Sequence, residues 1–467
     1  MTIALSLDDT IAAISTATGR AGIGVIKVSG PHAIAGTLRF FKKKNGTTPA
    51  PSEIISHKMI HGWISTQDND QILDEVLWVC MKKPHSYTGE DVSEIHTHGS
   101  HVVLQTILEQ LLSESLIRLA TPGEFTRRAF LNGRMDLTHA EAIHDVIHAQ
   151  TPKSLSLMSS HLSGLFRQTI DNLQQSLIQY LSNAEALIDF PDDMLDTETN
   201  DNLPEILESQ INQINQYIAD SHQTAIYREG ARVVIVGRPN VGKSSLMNCL
   251  LAQDRAIVST EPGTTRDIID AQINIDDIPV TLFDTAGIHD TNNAIEQQGI
   301  TRAKSLIGDA DLILFLMEAD QKLSADDLLI HEQITDFPWI LCANKVDRLK
   351  KKSDMAGMPK GWPSPIAISA RYDQGIDLLK QAIVNHLTKP HTEMTAPEFM
   401  INLRQRKCLE KARDCLKQAQ QACSENMPLD CALIDIRLAL DALAEITGGV
   451  HHEHILDEIF STFCIGK

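Results

Sequence analysis

The chain has 467 residues, too many for one hydrophobic core; a prior of about 150 residues per domain points to about three domains. Lys and Arg total 41 against 61 Asp and Glu, a formal net charge of −20, which argues against broad non-specific nucleic-acid binding but leaves room for a local basic groove. No basic-then-apolar leader opens the chain at Met1–Thr10 and no run of about 18 apolar residues follows, so neither a signal peptide nor a membrane span is expected.

In chain order, Thr10–Ala17 and Ile23–Ser29 read as strands around the turn-rich Thr18-Gly19-Arg20-Ala21-Gly22. Lys58–Ile64 and Glu75–Met81 read as further strands and His101–Glu114 as a helix, together a small α+β sandwich. From Ala140 the period changes: Leu162, Phe166, Ile170, Leu173, Leu177, Leu181, Ala184 and Ile188 form the stripe of one long amphipathic helix, stopping at Asp189-Phe190-Pro191. Near the other end, Leu409, Ala412, Leu416 and Ala419 form one stripe, and Leu429, Leu433, Ile436, Leu440 and Leu443 another. None of these stripes buries itself, so the two helical regions are expected to pack together, with the central segment inserted between them. That segment carries short apolar runs, Arg232–Val236, Val280–Phe283, Leu312–Met317, Trp339–Ala343 and Ile366–Ile368, at helix-length intervals, as in a doubly wound sheet. The eight cysteines (Cys80, Cys249, Cys342, Cys408, Cys415, Cys423, Cys431 and Cys464) include no Cys-x-x-Cys pair and read as reduced thiols of a cytoplasmic protein.

Four short motifs follow in order along the central segment. Gly237-Arg238-Pro239-Asn240-Val241-Gly242-Lys243-Ser244 fits G-x-x-x-x-G-K-S directly after a strand: backbone N–H groups wrap phosphates, Lys243 reaches the β- and γ-phosphates, and the Ser244 hydroxyl ligates Mg2+. Asp284-Thr285-Ala286-Gly287 ends a strand, with Asp284 on the metal through water and the Gly287 N–H on the γ-phosphate. In Asn344-Lys345-Val346-Asp347, the Asp347 carboxylate can accept from guanine N1 and N2, a donor pair that adenine lacks. Ser369-Ala370-Arg371 presents a backbone N–H to guanine O6. Between the first two lies Gly263-Thr264-Thr265-Arg266-Asp267, where Thr265 is placed to complete the Mg2+ shell when the γ-phosphate is present. The four in sequence specify a GTP-binding, GTP-hydrolysing site between about residues 230 and 372.

The chain resembles the MnmE (TrmE) tRNA-modification GTPases almost end to end. The resemblance is carried by Arg255–Asp267, Asp9-Thr10-Ile11-Ala12, Thr88-Gly89-Glu90-Asp91, the stretch Thr121–Gly133, and above all the terminal Phe463-Cys464-Ile465-Gly466-Lys467. It implies a multidomain fold: an N-terminal α+β folate-binding and dimerising domain (1–120), an all-α helical domain in two parts (121–225 and 389–467), and an inserted Ras-like α/β P-loop G domain (226–388). It implies a homodimer that works with the FAD-dependent flavoprotein MnmG (GidA) in a heterotetramer. That assembly installs a carboxymethylaminomethyl-type group at C5 of the tRNA wobble uridine, with 5-formyl- or 5,10-methylene-tetrahydrofolate as the one-carbon donor. Hydrolysis would be stimulated by K+, which neutralises transition-state charge where other GTPases use an arginine finger.

Carried over residue by residue, the resemblance places K+ ligands on Asn240, Ser259, Glu261 and Thr264, and Mg2+ ligands on Ser244 and Thr265. The water-positioning glutamate falls on Glu296, which by its sequence alone reads as a solvated helix residue. Folate positions fall on Lys27, Glu94, Arg134 and Lys467; relatives often carry Arg at the first and Lys at the third, a change of hydrogen-bond geometry at constant charge. The expected GTP contacts are Asn240, Val241, Gly242, Lys243, Ser244, Ser245, Ser259, Thr260, Glu261, Pro262, Gly263, Thr264, Thr265, Asp284, Thr285, Ala286, Gly287, Asn344, Lys345, Asp347, Ser369, Ala370 and Arg371. Cys464 is expected to be a packed tail cysteine rather than a nucleophile, and His451-His452-Glu453-His454 fits no structural zinc spacing. Two other classes compete: a ribosome-assembly or translation-type GTPase switch, against which the Cys-Ile-Gly-Lys ending and the long N-terminal region count, and a structural adaptor with a vestigial G domain, against which the intact motifs count.

Overall fold

The computed structural model describes residues 9–17, 19–66, 71–189, 203–253, 270–284, 306–349, 359, 361–388, 399–425, 427–450 and 453–467. The chain divides into two compact units, one of residues 1–144, 166–185 and 436–467, the other of residues 145–165 and 186–435.

The first unit is built on one seven-stranded sheet in the order β3-β4-β5-β6-β2-β1-β7. Its strands are β1 (Thr10–Ile14), β2 (Ala21–Ser29), β3 (Phe41–Lys43), β4 (Ile60–Ser65), β5 (Ile72–Met81), β6 (Val92–Gly99) and β7 (Ile117–Leu119). Ile26, Val28, Ile64, Val76, Trp78 and Ile95 point to one face and pack with Leu104, Ile107, Leu108 and Leu111 of the helix α2 (His101–Leu112). The expected strands and helix are present, but β1 ends at Ile14 rather than Ala17. Strand β6 escapes a hydrophobic pattern because two of its inward side chains are Ser93 and Thr97. Ser93 remains buried because its hydroxyl meets that of Thr37 at 2.9 Å, on the short helix α1 (Ala33–Leu38), and Thr37 also accepts from Trp78 Nε1 at 3.0 Å.

Behind β1 lies a buried ionic knot. Arg128, on α3 (Glu124–Leu131), has no exposed side-chain surface and donates to the Asp9 carboxylate, to Asp9 O at 3.0 Å, to Glu124 at 3.0 Å and to Glu90 at 3.3 Å. Arg118 reaches Asp9 at 2.6 Å and Glu124 at 2.5 Å. Ser29 Oγ donates to Glu90 at 2.7 Å. Every buried charge here is paired, the condition under which such charges persist in a core.

The C-terminal residues close the same unit. It contains most of α4 (Leu137–His148), the C-terminal part of α12 (Leu429–Thr447) and α13 (Glu453–Ser461). Leu456, Phe460 and Phe463 pack with Leu137 and Ala140, and Arg127 donates to Asp457 at 2.6 Å. The tail then runs against the end of β1. Ser15 Oγ donates to Gly466 O at 3.1 Å, and Gly466 has φ +97° where a Cβ would sit 2.5 Å from Ile14 O, so only glycine fits.

One long helix expected from Leu162 onward is in fact two: α5 (Pro152–Leu162) and α6 (Leu165–Asp189). Gly164 between them adopts φ +81°, and its N–H bonds to His161 O, which closes α5. Leu162 therefore leaves the stripe, whereas Phe166, Ile170, Leu173, Leu177 and Ala184 are buried as expected.

The second unit holds a six-stranded sheet in the order β13-β12-β11-β8-β10-β9. Strands β8 (Ala231–Val236), β10 (Ile278–Asp284), β11 (Leu312–Glu318), β12 (Trp339–Asn344) and β13 (Ile366–Ala367) run parallel, as the apolar runs imply. The edge strand β9 (Asp270–Ile275) is antiparallel and was not legible, since only Ile273 and Ile275 of its alternation are strong core residues. No clean apolar stripe in the sequence announces the long helix α7 (Leu203–Glu229); α11 (Leu403–Ser424) packs along it, with Leu409, Ala412, Leu416 and Ala419 fully buried. Asn402 caps α11, accepting from Gln405 N at 2.8 Å while Gln405 Oε1 accepts from Asn402 N.

Glu124 should make the first unit acid-sensitive. Burial alone raises its pKa, but hydrogen bonds from Arg118, the Thr121 amide and Arg128 outweigh that and bring it to about 2. Because the folded-state value lies below that of the unfolded chain, the stabilisation is complete above about pH 4.5 and is lost as pH falls towards 2, ~3 kcal/mol in all. Thermal melts of the parent from pH 6 to 2 should show this loss. Glu124→Gln should start lower and vary less with pH, and a parallel pH profile for the two proteins would contradict it.

Candidate functional site

The phosphate loop leaves β8 at Gly237 and enters the helix α8 (Lys243–Gln253). Lys243 is 5% exposed, and its ammonium donates to Gly237 O at 2.9 Å and Arg238 O at 3.0 Å, which closes the loop around it. Burial lowers its pKa and Asp284 opposes that. Ser244 Oγ donates to Asp284 Oδ2 at 2.8 Å, so the two oxygens expected around a Mg2+ ion are already neighbours. Arg238, within the loop, is tied outward to Asp327 Oδ1 at 2.8 Å; the other carboxylate oxygen of Asp327 accepts from Ser324, the N-cap of α9 (Ala325–Ile334).

The base-reading motifs meet this loop through one side chain. Asn344 Nδ2 donates to Val241 O at 2.9 Å, and its Oδ1 accepts from Ala370 N at 3.1 Å. Gly242 approaches so closely that a Cβ there would lie 2.3 Å from Asn344 Nδ2, and its φ is +102°. Lys345 follows at φ +67° and donates to Asn240 O at 2.7 Å and Glu318 Oε1 at 2.6 Å. Asp347 Oδ1 accepts from Ser369 Oγ at 2.6 Å. Ser369 N donates to Gln374 O, and the Arg371 guanidinium lies 5.5 Å from the Tyr372 ring centroid.

Thus Asn240, Val241, Gly242, Lys243, Ser244, Asp284, Asn344, Lys345, Asp347, Ser369 and Ala370 are brought together at the carboxyl ends of the parallel strands, the expected place for a ligand in an open α/β sheet. Ser245 is exposed on the first turn of α8. Ser259, Thr260, Glu261, Pro262, Gly263, Thr264, Thr265, Thr285, Ala286, Gly287 and Glu296 lie outside the described residues. Sequence reasoning missed Glu318; its signal is a single carboxylate ending the otherwise apolar strand Leu312–Met317. It also missed Asp373, whose Oδ1 accepts from Cys249 Sγ at 3.0 Å.

In the first unit, Lys27 and Glu94 are cross-strand partners of β2 and β6, with Nζ 3.9 Å from Oε1. The Lys27 ammonium lies 5.0 Å from the Tyr87 ring centroid and 5.6 Å from that of Phe125. Burial lowers its pKa, Glu94 raises it, and Lys467 lowers it again, so the last residue of the chain is within electrostatic reach. Arg134 Nε donates to Ser86 O at 3.3 Å, and this residue lines a cleft of about 470 Å³ with His57, Met81, Pro84, His85, Ser86 and Tyr87. Tyr87 therefore touches both groups, and neither it nor Phe125 was anticipated. Cys464 is exposed rather than packed; Phe463 and Gly466 are the buried residues of the tail. Among the described residues no His, Cys, Asp and Glu cluster could hold a metal ion, and no helix is long and apolar enough to cross a membrane.

A phosphate loop after β8, a carboxylate ending β10 and an Asn-Lys-x-Asp turn after β12 define a P-loop GTPase within a multidomain chain. Models of two families match the chain: the MnmE helical domain over residues 137–464 and the GTP-binding protein TrmE N-terminus over residues 10–134. The tRNA modification GTPase MnmE of Natranaerobius thermophilus is 40% identical over 98% of this chain and all of its own. That of Syntrophus aciditrophicus is 41% identical over 99% of this chain and all of its own, and that of Synechocystis 38% over the same shares. The chain belongs to the tRNA modification GTPase MnmE family.

Asn344→Ala should fold but bind GTP and GDP about 10- to 100-fold more weakly, because Val241 O and Ala370 N lose a shared buried partner. Titration with a fluorescent guanine nucleotide checks this; parent-like affinity would remove the bridge from the account.

Proposed function

We propose that the protein is the K+-stimulated, GTP-hydrolysing subunit of a system that modifies C5 of the tRNA wobble uridine, with a flavoprotein partner and a tetrahydrofolate one-carbon donor. The observation that carries this is the coexistence, in one chain of the MnmE family, of an assembled guanine-nucleotide site and a separate Lys27–Glu94–Lys467 cluster.

In the nucleotide site, Lys243 would exchange its two loop carbonyls for phosphate oxygens, and Ser244 with Asp284 would hold Mg2+, whose charge offsets that on the phosphates. Asp347 would accept from guanine N1 and N2, while Ala370 N and Ser369 sit beside it to complete the base pocket; Arg371 borders the same loop. Val241, Gly242 and Ser245 would line the phosphates. Asn240 would help to hold K+, which would supply charge where other GTPases use an arginine finger; Ser259, Glu261 and Thr264 are its other candidates. Thr260, Pro262, Gly263, Thr265, Thr285, Ala286 and Gly287 complete the expected contacts, and Glu296 is the candidate to orient the attacking water.

The second cluster suits a reduced folate. A half-buried ammonium, a carboxylate and two aromatic rings provide a cation and an acceptor against an apolar wall, and Arg134 adds a second cation; a pteridine and a glutamate carboxylate match these groups. A helical domain interrupted by the G domain is supported by the extent of the helical model, 137–464, which encloses the P-loop motifs. Domain limits of 1–120, 121–225, 226–388 and 389–467, a homodimer, a heterotetramer with the flavoprotein, and a cytoplasmic setting belong to this proposal.

Deleting Cys464–Lys467 should abolish tetrahydrofolate binding and wobble modification while GTP turnover continues. Calorimetry with a tetrahydrofolate, GTP turnover, and mass spectrometry of tRNA nucleosides after reconstitution with the flavoprotein test this. Lost modification with intact folate affinity would assign the tail to partner docking instead. GTP turnover should also be faster in K+ than in Na+ at matched ionic strength, and Asn240→Ala should flatten the difference; equal rates in the parent would remove K+ from the site.

A further inference from the structure

Glu318 ends β11 with a side chain only 9% exposed, and none of the GTP-site motifs includes it. Its two carboxylate oxygens are divided between different partners. Oε1 accepts from Lys345 Nζ at 2.6 Å; Oε2 accepts from Gln321 Nε2 at 2.9 Å and lies 3.6 Å from Arg348 Nη1. The backbone beside it is fixed as well, since Ala319 N donates to Asn344 O at 2.8 Å.

Lys345 is the residue this arrangement controls. Its backbone sits at φ +67°, directly after Asn344 and two residues before the guanine-reading carboxylate of Asp347. Its ammonium nevertheless reaches the phosphate loop, at Asn240 O. The four-carbon stem therefore spans from the base motif to the phosphate loop, where it would wall a bound nucleotide. A free lysine stem samples many rotamers, and holding it in one costs side-chain entropy. One neutral carbonyl, Asn240 O, is a weak clamp for a cation. A buried carboxylate at 2.6 Å is a strong one, because charge-assisted hydrogen bonds are about twice as strong as neutral ones.

The network continues to the phosphate loop by a second route. Gln321 Oε1 lies 3.4 Å from Arg238 Nη2, and Arg238 O is one of the two carbonyls that hold Lys243. Glu318 is thus linked to the phosphate loop by two routes, through Lys345 to Asn240 O and through Gln321 to Arg238.

We infer that Glu318 is a positioning residue for guanine-nucleotide binding, holding Lys345 extended across the pocket so that its stem is preorganised against the nucleotide. Removing the charge should leave the reacting groups in place and release the wall. The loss then appears in nucleotide residence and KM rather than in the chemical step. The inference rests on the placement of Lys345 in the GTP site, and the parent protein's own GDP binding tests that placement separately.

The test uses the full-length chain and a fluorescent GDP analogue in stopped flow, with GTP turnover and the melting temperature of the nucleotide-free protein measured alongside. For Glu318→Gln we expect GDP release about tenfold faster and KM for GTP raised by a similar factor, with kcat near that of the parent, corresponding to the loss of one charge-assisted hydrogen bond. Glu318→Asp, which keeps the charge on a shorter stem, should recover part of the residence time. Unchanged GDP release in Glu318→Gln overturns the inference, as does a fall in kcat at constant KM. A drop in melting temperature with parent-like GDP release would reduce the pair to a strand-end brace and overturn it too. Should Glu318→Gln not fold, Glu318→Asp decides: intermediate release supports the role, and parent-like release refutes it.

Discussion

The guanine-nucleotide site depends on the side-chain amide of Asn344. Its nitrogen holds the phosphate loop at Val241 O and its oxygen holds the loop after β13 at Ala370 N, while its own strand carries the base-reading turn. Three loops from three strands are registered by one buried group that needs both a donor and an acceptor. Aspartate has no donor, and a glutamine would carry the same amide one methylene too far. The close pass of Gly242 over the same amide explains why that loop position tolerates no side chain. Lys345 and Asp347 inherit their placement from this fixed point, one reaching back to Asn240 and the other across to Ser369.

The other unit is organised by a comparable constraint, the Arg128 guanidinium. Asp9, Glu90 and Glu124 come from a strand edge, a loop and the same helix, and Asn132 binds Thr88 O at 2.8 Å beside them. The motif residues that carry the family resemblance in this unit therefore chiefly build the scaffold. The groups proposed to bind a folate, Lys27, Glu94 and Lys467, belong to the same unit, and the Lys27 ammonium lies over the Tyr87 and Phe125 rings. Two different solutions to burying polar groups result: a neutral amide with complementary donor and acceptor in one unit, and fully paired charges in the other. The second is sensitive to acid, because a carboxylate such as Glu124 can be protonated on the way to low pH, whereas a side-chain amide does not titrate there.

How much was legible depended on where each segment buries its side chains. The parallel strands of the P-loop sheet bury both faces, so Ile313, Leu314, Phe315 and Leu316 form a continuous apolar run that announces itself. Strand β6 does not, because Ser93 and Thr97 face inward and are satisfied by partners far along the chain. Helix α7 is hard to read in the sequence because Gln210 and Ser221 take buried positions on the same face as Leu207, Ile214 and Ile218, which blurs the apolar stripe. The apparent continuity of α5 and α6 was misleading for the opposite reason: the stripe persists in register through Ser163-Gly164, while the backbone does not.

By itself the sequence determined the class of ligand and the apolar runs that become the parallel strands of the P-loop sheet, since both are written in local spacing: a glycine-rich turn after a strand, a hydroxyl after a lysine, an acid two residues after Lys345. It also determined the family, through motifs spread over the whole length. Only the tertiary structure decided which oxygen meets which donor. Asn344 and Val241 are 103 positions apart, Ser15 and Gly466 are 451 apart, and no local pattern encodes either hydrogen bond. It likewise decided that Cys464 faces solvent, that Tyr87 underlies Lys27, and that Glu318 clamps Lys345. Local spacing reports what a residue can do, whereas its partners are chosen by the packing of strands and loops that arrive from distant parts of the chain.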